Sequence, residues 1–261
     1  MKVCTDACLF GAWAASDERI KTAKNILDIG AGTGLLSLML AQATAITNTD
    51  NNIYTEPTHI TAVEIEAATA KEAASNFALS PWSSRLSIVH NSIQTYFDHF
   101  KTSESDNYIS NSIFSKFDCI ISNPPFFERD LKSPDEKKNL AAHSAELPWN
   151  ELVENVFDLL KEGGTYYVLI PTLRSYTMQK LCDQKGLQLV EEVLVHNSVK
   201  NLPIRAMQKY VKPFSNELSQ HSAIVKQTVN SIKRSKIYIK DVENKYDAHF
   251  TTLLKEFYLQ F

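Results

Sequence analysis

The sequence predicts an α/β fold built on a mainly parallel sheet, and three observations predict it. Short apolar runs alternate with segments of helical periodicity, the pattern of βαβ units. A glycine-rich turn, Gly30-Ala31-Gly32-Thr33-Gly34, follows the first apolar run. The 261 residues, 44% hydrophobic and 22% charged, fit one large domain spanning 1–261.

The elements follow in order. Asn25–Ile29 reads as a buried strand ending in glycines, and Leu35–Ala45 as a helix with an apolar face. His59–Glu64 is a second strand, followed by an alanine-rich helix over Ala67–Leu79. Leu86–His90 and Phe117–Ser122 are the third and fourth strands. Trp149–Leu160 is amphipathic and reads as a helix stopped by Gly163-Gly164. Thr165–Ile170 is a fifth strand closed by Pro171, Leu173–Lys185 a helix ended by Gly186, and Leu187–His196 a sixth strand. Two polar stretches, Thr47–Thr58 and Thr102–Ser115, read as surface loops. In such sheets, ligands sit at the carboxyl ends of the strands near the switch point.

Composition narrows the function classes. No apolar run approaches the ~20 residues of a membrane helix. Asp6 and its polar neighbours interrupt any signal-peptide pattern, so a cytoplasmic address is the expectation. Cys4, Cys8, Cys119 and Cys182 have neither zinc-knuckle nor disulfide spacing, so reduced thiols and no metal are expected. The net charge of −3 hides an asymmetry: residues 200–240 carry +8, which leaves −11 for the rest. A basic segment on an acidic body suggests a polyanionic partner, or else a solvated lysine-rich linker. The run Lys233-Arg234-Ser235-Lys236 tilts the reading toward nucleic acid, with Lys233, Arg234 and Lys236 as expected backbone contacts.

Gly30, Gly32 and Gly34 let the backbone turn sharply and approach a ligand, and the next helix offers its N-terminus to a polar group. Asp28 precedes them, giving Asp-x-Gly-x-Gly-x-Gly rather than the dinucleotide spacing. Glu64, at the end of the second strand, can accept hydrogen bonds from both hydroxyls of a ribose. Glu66 suits helix capping better. After the third strand, Asn91 and Ser92 can each accept a hydrogen bond.

The fourth strand delivers Asn123-Pro124-Pro125-Phe126 into a rigid loop. An amino group attached to an aromatic ring or a carbonyl has a delocalised lone pair that must be freed before the nitrogen can attack an electrophile, and acceptors on both N–H groups favour that shift. The Asn123 side-chain oxygen and the Pro124 carbonyl can supply them. The tertiary amide at Pro125 stiffens the loop. Phe126 offers a flat face for a flipped base, worth about 1–3 kcal/mol. Catalysis then becomes mainly positioning.

These motifs carry a resemblance. Asp28-x-Gly30-x-Gly32-x-Gly34 resembles motif I of class I S-adenosylmethionine (SAM) methyltransferases, and Asn-Pro-Pro-Phe resembles the tetrad of their adenine- and amide-methylating branch. Met1–Ala14, the segment Ala142–Trp149 and the ending Phe250–Phe261 are similar to blocks of the bacterial tRNA1(Val) adenine-N6 methyltransferases. The resemblance implies a Rossmann-like, mainly parallel seven-stranded sheet with helices on both faces. It also implies SAM as cofactor, and transfer of methyl to N6 of the adenosine 3′ of the valine anticodon in tRNA. It places Lys2, Thr5 and Asp6 near the cofactor, and suggests a monomer or weak dimer. Two departures stand out. Cys4 replaces the usual glycine of the opening block, and Ser92 the usual acid. Protein-glutamine N5 or rRNA guanine-N2 methylation, and a SAM-binding RNA module with little turnover, are the alternatives.

Overall fold

The structure, a computed structural model, describes residues 4–45, 57–105, 116–124, 148–215 and 232–258. Lys2, Pro125, Phe126, most of both polar loops, residues 142–147 and the last three residues lie outside them.

Eight strands among the described residues form one sheet, rather than the expected seven. They are β1 (Asn25–Ile29), β2 (His59–Glu64), β3 (Leu86–His90), β4 (Phe117–Ser122), β5 (Leu160–Pro171), β6 (Gln188–Ser198), β7 (Pro203–Val211) and β8 (Lys233–Lys240). Their order in space is β3-β2-β1-β4-β5-β7-β6-β8. Only β7 runs against its neighbours, antiparallel to both β5 and β6. The helices are α1 (Thr5–Ala15), α2 (Glu18–Lys21), α3 (Leu35–Ala43), α4 (Ala67–Leu79), α5 (Ile93–Ser105), α6 (Trp149–Leu159), α7 (Ser175–Lys185) and α8 (Ala248–Leu254).

Both faces of the sheet are covered, which explains why β1 is buried along nearly its whole length. On one face, Phe10 and Trp13 of α1, Leu36 and Leu40 of α3 and Phe250 of α8 pack on Ile26, Ile121, Tyr167 and Val193. On the other, Phe97 and Phe100 of α5, Leu152 and Val156 of α6 and Met178 of α7 pack on Leu27, Ile120 and Tyr166. Consecutive strand residues thus feed opposite cores, as the two-residue period of a strand requires. Helix α1 is buried from Ala7 to Ala15, and its apolar residues circle the whole helix.

Three expectations need correction. Helix α6 ends at Leu159, four residues before Gly163, and β5 begins at once. Lys212 supplies the reason: its Nζ donates to the carbonyls of Phe157 (2.6 Å) and Leu160 (3.0 Å), where a cation opposes the helix dipole. Gly163, at φ +74°, instead marks an irregular stretch inside β5. The expected loop from Thr102 starts too early, since α5 continues through Ser105. The segment 200–240 is no linker where it is described, because it holds β7 and β8.

Among the described residues, no helix is long and apolar enough to cross a membrane. No group of three or more His, Cys, Asp or Glu among them can hold a metal ion.

Candidate functional site

Strand β1 sits between β2 and β4, so the chain order reverses there. Crevices at such reversals, outside the carboxyl ends of the strands, are where open α/β sheets bind ligands. Ile29 of β1 is in register with Val63 of β2 and Ser122 of β4. The next residues, Gly30, Glu64 and Asn123, therefore leave the sheet side by side. The Ser122 hydroxyl donates to the Ile29 carbonyl (3.0 Å) and locks β4 to β1 at this edge.

The glycine loop is held from three sides. Gly30 and Ala31 both donate their N–H to the Val63 carbonyl, at 2.9 and 3.1 Å. The Asn76 side chain on α4 donates to the Thr33 carbonyl (2.9 Å). Gly34 caps α3 at φ +85°, and a side chain there would meet Phe77 at 2.3 Å. Gly30, at φ +72°, has open space where a side chain would stand. That gap is what close approach of a ligand to the backbone requires.

Two buried carboxylates flank the loop. Glu64 is 8% exposed. Its Oε2 accepts from the Gly32 N–H (2.9 Å) and its Oε1 from the Glu66 N–H (2.8 Å). A carboxylate has about four lone-pair sites, so acceptor capacity remains for a diol. Asp28 lies fully buried beneath the loop, where its Oδ2 accepts from the Ser37 hydroxyl (2.7 Å) and N–H (3.2 Å). Its Oδ1 has no partner among the described residues. Burial, reinforced by the nearby Glu64 charge and opposed by the Ser37 hydrogen bonds, pushes its carboxyl up to about 7.

Asn123 follows β4, half-buried, and its Oδ1 is a buried acceptor with no partner among the described residues. Pro124 beside it is buried. Thr172, just past β5, carries a third orphan, its Oγ1. Buried polar atoms are nearly always hydrogen-bonded; the Tyr166 and Tyr167 hydroxyls and His196 Nε2 also lack a partner among the described residues, so it is the grouping of these three oxygens near one edge that points to a ligand. The sequence reading passed over Thr172, which offers no motif.

The cofactor site expected from sequence separates into parts. Asp28, Gly30, Gly32, Gly34 and Glu64 come together. Asn91 adjoins them, its N–H donating to the Glu64 carbonyl (3.0 Å) and its Oδ1 accepting from the Ser92 N–H (3.0 Å). Ser92 has a different employment. Its hydroxyl accepts from the Thr95 N–H (3.1 Å) and bonds the Thr95 hydroxyl (2.9 Å), so it caps α5. Glu66 holds the N-cap position of α4, though its carboxylate accepts from the Thr69 hydroxyl and caps no backbone N–H. Thr5 opens α1, and Asp6 accepts from Arg205 Nε (2.9 Å), pinning α1 to β7 near the carboxyl edge.

Lys233, Arg234 and Lys236 do not join this constellation. Lys233 pairs in register with Glu191 near the start of β6, at the opposite end of the sheet. Its Nζ is 2.7 Å from Glu191, and Arg234 Nε is 3.4 Å from Glu192. Lys236 is exposed midway along β8. A cavity of about 370 Å³ beside them is lined by Asp17, Glu191, Lys209 and Lys233. Its charges are already paired, Asp17 with Lys209 and Glu191 with Lys233.

Comparisons with known proteins agree with this geometry. A family described as "Methyltransferase small domain" matches residues 15–186. A tRNA1(Val) (adenine(37)-N6)-methyltransferase of Dyadobacter fermentans is 34% identical, over 100% of this chain and 92% of its own. The protein of that name from Bacteroides fragilis strain YCH46 is 32% identical over the same shares. A crystal structure from Agrobacterium tumefaciens, described as a predicted O-methyltransferase, superposes with a TM-score of 0.61. It is 13% identical and covers 96% of this chain and 95% of that one, so it speaks to the fold alone.

Proposed function

We propose that this chain, which belongs to the methyltransferase small-domain family and to its tRNA1(Val) (adenine(37)-N6)-methyltransferases, transfers a methyl group from SAM to N6 of an adenine in tRNA. The target is the adenosine 3′ of the anticodon of tRNA1(Val). The whole chain acts as one methyltransferase domain. The observation that carries the reading is the buried Oδ1 of Asn123, unpartnered among the described residues, one step past the register that links β4 to β1 and the glycine loop.

The residues present fit the cofactor. Gly30 leaves open space for an approaching ligand, Glu64 retains acceptor capacity for a ribose, and Asp28 keeps an orphaned Oδ1 beneath the loop. When bound, SAM supplies an electrophilic methyl on a sulfonium centre. Glu64 would hold the ribose hydroxyls, the 30–34 backbone would wrap the middle of the ligand, and Asn91 would offer an acceptor on the adenine side. Asp28 favours a cation nearby, because its carboxyl is costly to ionise in isolation.

This chain's own residues do the rest by positioning. Asn123 Oδ1 accepts from one N–H of the target amino group, and the Pro124 carbonyl from the other. Both bonds strengthen as the nitrogen gains positive character, so they favour the transition state over the ground state. Pro125 and Phe126 lie outside the described residues, and the roles proposed for them from the sequence are to stiffen the loop and to stack the base. After transfer, the surplus proton on nitrogen leaves to water. Lys2, which lies outside the described residues, and Thr5 and Asp6 would lie near the cofactor, with Asp6 steadied by Arg205.

The test uses purified protein, labelled SAM and total tRNA from a strain lacking this activity, followed by nucleoside digestion and mass spectrometry. The expected product is N6-methyladenosine in tRNA. Label in protein glutamine or in rRNA guanine, with none in tRNA, would overturn the reading.

A further inference from the structure

We infer that the tip of the β6–β7 hairpin and the start of α7 form a separate grip on the tRNA, beside the catalytic edge, where Tyr176 stacks a base and Arg174 and Lys200 hold phosphates. This rests on the tRNA reading above.

Position comes first. Pro171 at the end of β5 is in register with Arg205 of β7, which is in register with Val195 of β6. The β6–β7 turn, residues 199–202, therefore stands beyond the end of β5, on the same edge as Asn123. At about 3.3 Å per residue and 4.8 Å per strand, the tip lies roughly 20–25 Å from Asn123. Arg174 and Tyr176 follow β5 directly, and Gln208 of β7 donates to the Ser175 carbonyl (3.3 Å), which seats the start of α7 over β7.

This corner sets exposed large side chains beside exposed cations. Leu173 is 96% exposed, Tyr176 76% and Leu202 86%. Such large groups clustered in the open mark an interaction site rather than scattered surface apolars. Arg174 and Lys200 are both exposed, and neither has an ion-pair partner among the described residues. Four other cations of the basic segment are ion-paired, Arg205 with Asp6, Lys209 with Asp17, Lys233 with Glu191 and Arg234 with Glu192, and exposed Lys236 lies midway along β8, away from this corner. Available positive charge beside an exposed aromatic ring suits a single-stranded or looped nucleic acid.

The tip is also preorganised. His196 Nδ1 donates to the Asn201 carbonyl (2.7 Å), the Asn201 N–H to the Ser198 carbonyl (3.1 Å), and the Ser198 hydroxyl to Asn201 Oδ1. Little ordering is left to do on binding.

The test is steady-state methyl transfer to tRNA across a salt series, with SAM saturating. Arg174→Glu with Lys200→Glu should raise KM for tRNA at least tenfold. It should also flatten the dependence of log KM on log salt by about 0.7–0.9 per lost phosphate contact. Tyr176→Ala should raise KM about tenfold at every salt concentration, as a stacking loss does. SAM affinity should stay at the parent value in each variant, which shows that the protein is folded. Lys21→Glu makes the same charge change as either single substitution, Arg174→Glu or Lys200→Glu, at the far end of the sheet and should change KM less than twofold. Parent-like KM and salt slope in the substituted proteins, while the parent methylates tRNA, would overturn the grip alone. An equal effect from Lys21→Glu would overturn it too, by showing a general charge effect. A parent protein that leaves tRNA unmethylated would overturn both readings.

Discussion

The carboxyl edge of the sheet and the outer half of its basic flank use polar groups in opposite ways. At the edge, Asp28 Oδ1, Asn123 Oδ1 and Thr172 Oγ1 are buried and unpartnered among the described residues. Along β8 and β7, charged groups that look like functional capital in the sequence are spent on structure: Lys233 on Glu191, Arg234 on Glu192, Lys209 on Asp17. The lesson is that unsatisfied oxygens grouped at a strand edge point to a ligand better than charge density does, whereas the unpartnered Tyr166 and Tyr167 hydroxyls inside β5 point to none. Lysines on β8, an edge strand, also hinder pairing with another sheet.

The comparison breaks most sharply at Asn123. Asn123→Ala removes the orphaned acceptor and should lower kcat by about 10²–10³, the range seen when a single well-placed polar group is lost from a transition state. SAM affinity, measured by calorimetry, should hold within twofold. A parallel fall in both would mean that Asn123 serves the fold.

Glu64→Ala comes next. It removes the acceptor of the Gly32 and Glu66 amides and, on the proposed reading, that of the ribose hydroxyls. Hydrogen bonds to charged groups are worth about 1.5–3 kcal/mol, so the SAM Kd should rise roughly 10- to 100-fold. A KM for tRNA that moved more than the SAM Kd would shift Glu64 to the substrate side.

Asp28 sharpens the comparison through pH. Its folded pKa, about 7, lies above the usual carboxylate value of 3.8. The folded state therefore binds this proton more tightly than the unfolded chain does, and the stability from Asp28 is fully present below about 4. It is lost as pH rises toward 7. Asp28→Asn should flatten that loss, so its melting temperature should drop less than that of the parent between pH 4.5 and pH 8. An identical pH profile would show that Asp28 is not strained.

The smallest effect belongs to Ser92. As the cap of α5, Ser92→Ala should cost about 1 kcal/mol of stability in a denaturant melt and leave the SAM Kd within twofold. A tenfold weaker SAM would restore Ser92 to the cofactor site.

The sequence revealed the inner sheet well and its outer half poorly, for physical reasons. β1 to β4 are short apolar runs, and their bounds match the prediction. The glycine loop and Asn123 were legible because they follow those runs directly. β7 and β8 were hidden by their charge. Arg205 is neutralised by Asp6, 199 residues away, and Lys209 by Asp17, 192 residues away, so no local pattern announces the pairing. The capping role of Ser92 was passed over although a signal was present. It stands immediately before Ile93, Tyr96, Phe97 and Phe100, an apolar helical stripe that calls for an N-cap. Gly163-Gly164 looked like a helix stop, whereas the stop came from Lys212, fifty-odd residues on.

The most direct test is a crystal structure with S-adenosylhomocysteine bound. The account predicts the ribose hydroxyls on Glu64, the ligand wrapped by residues 30–34, and its sulfur facing Asn123. A ligand seated in the cleft lined by Asp17, Glu191, Lys209 and Lys233, or at the carboxyl edge without contact to Glu64, would contradict it.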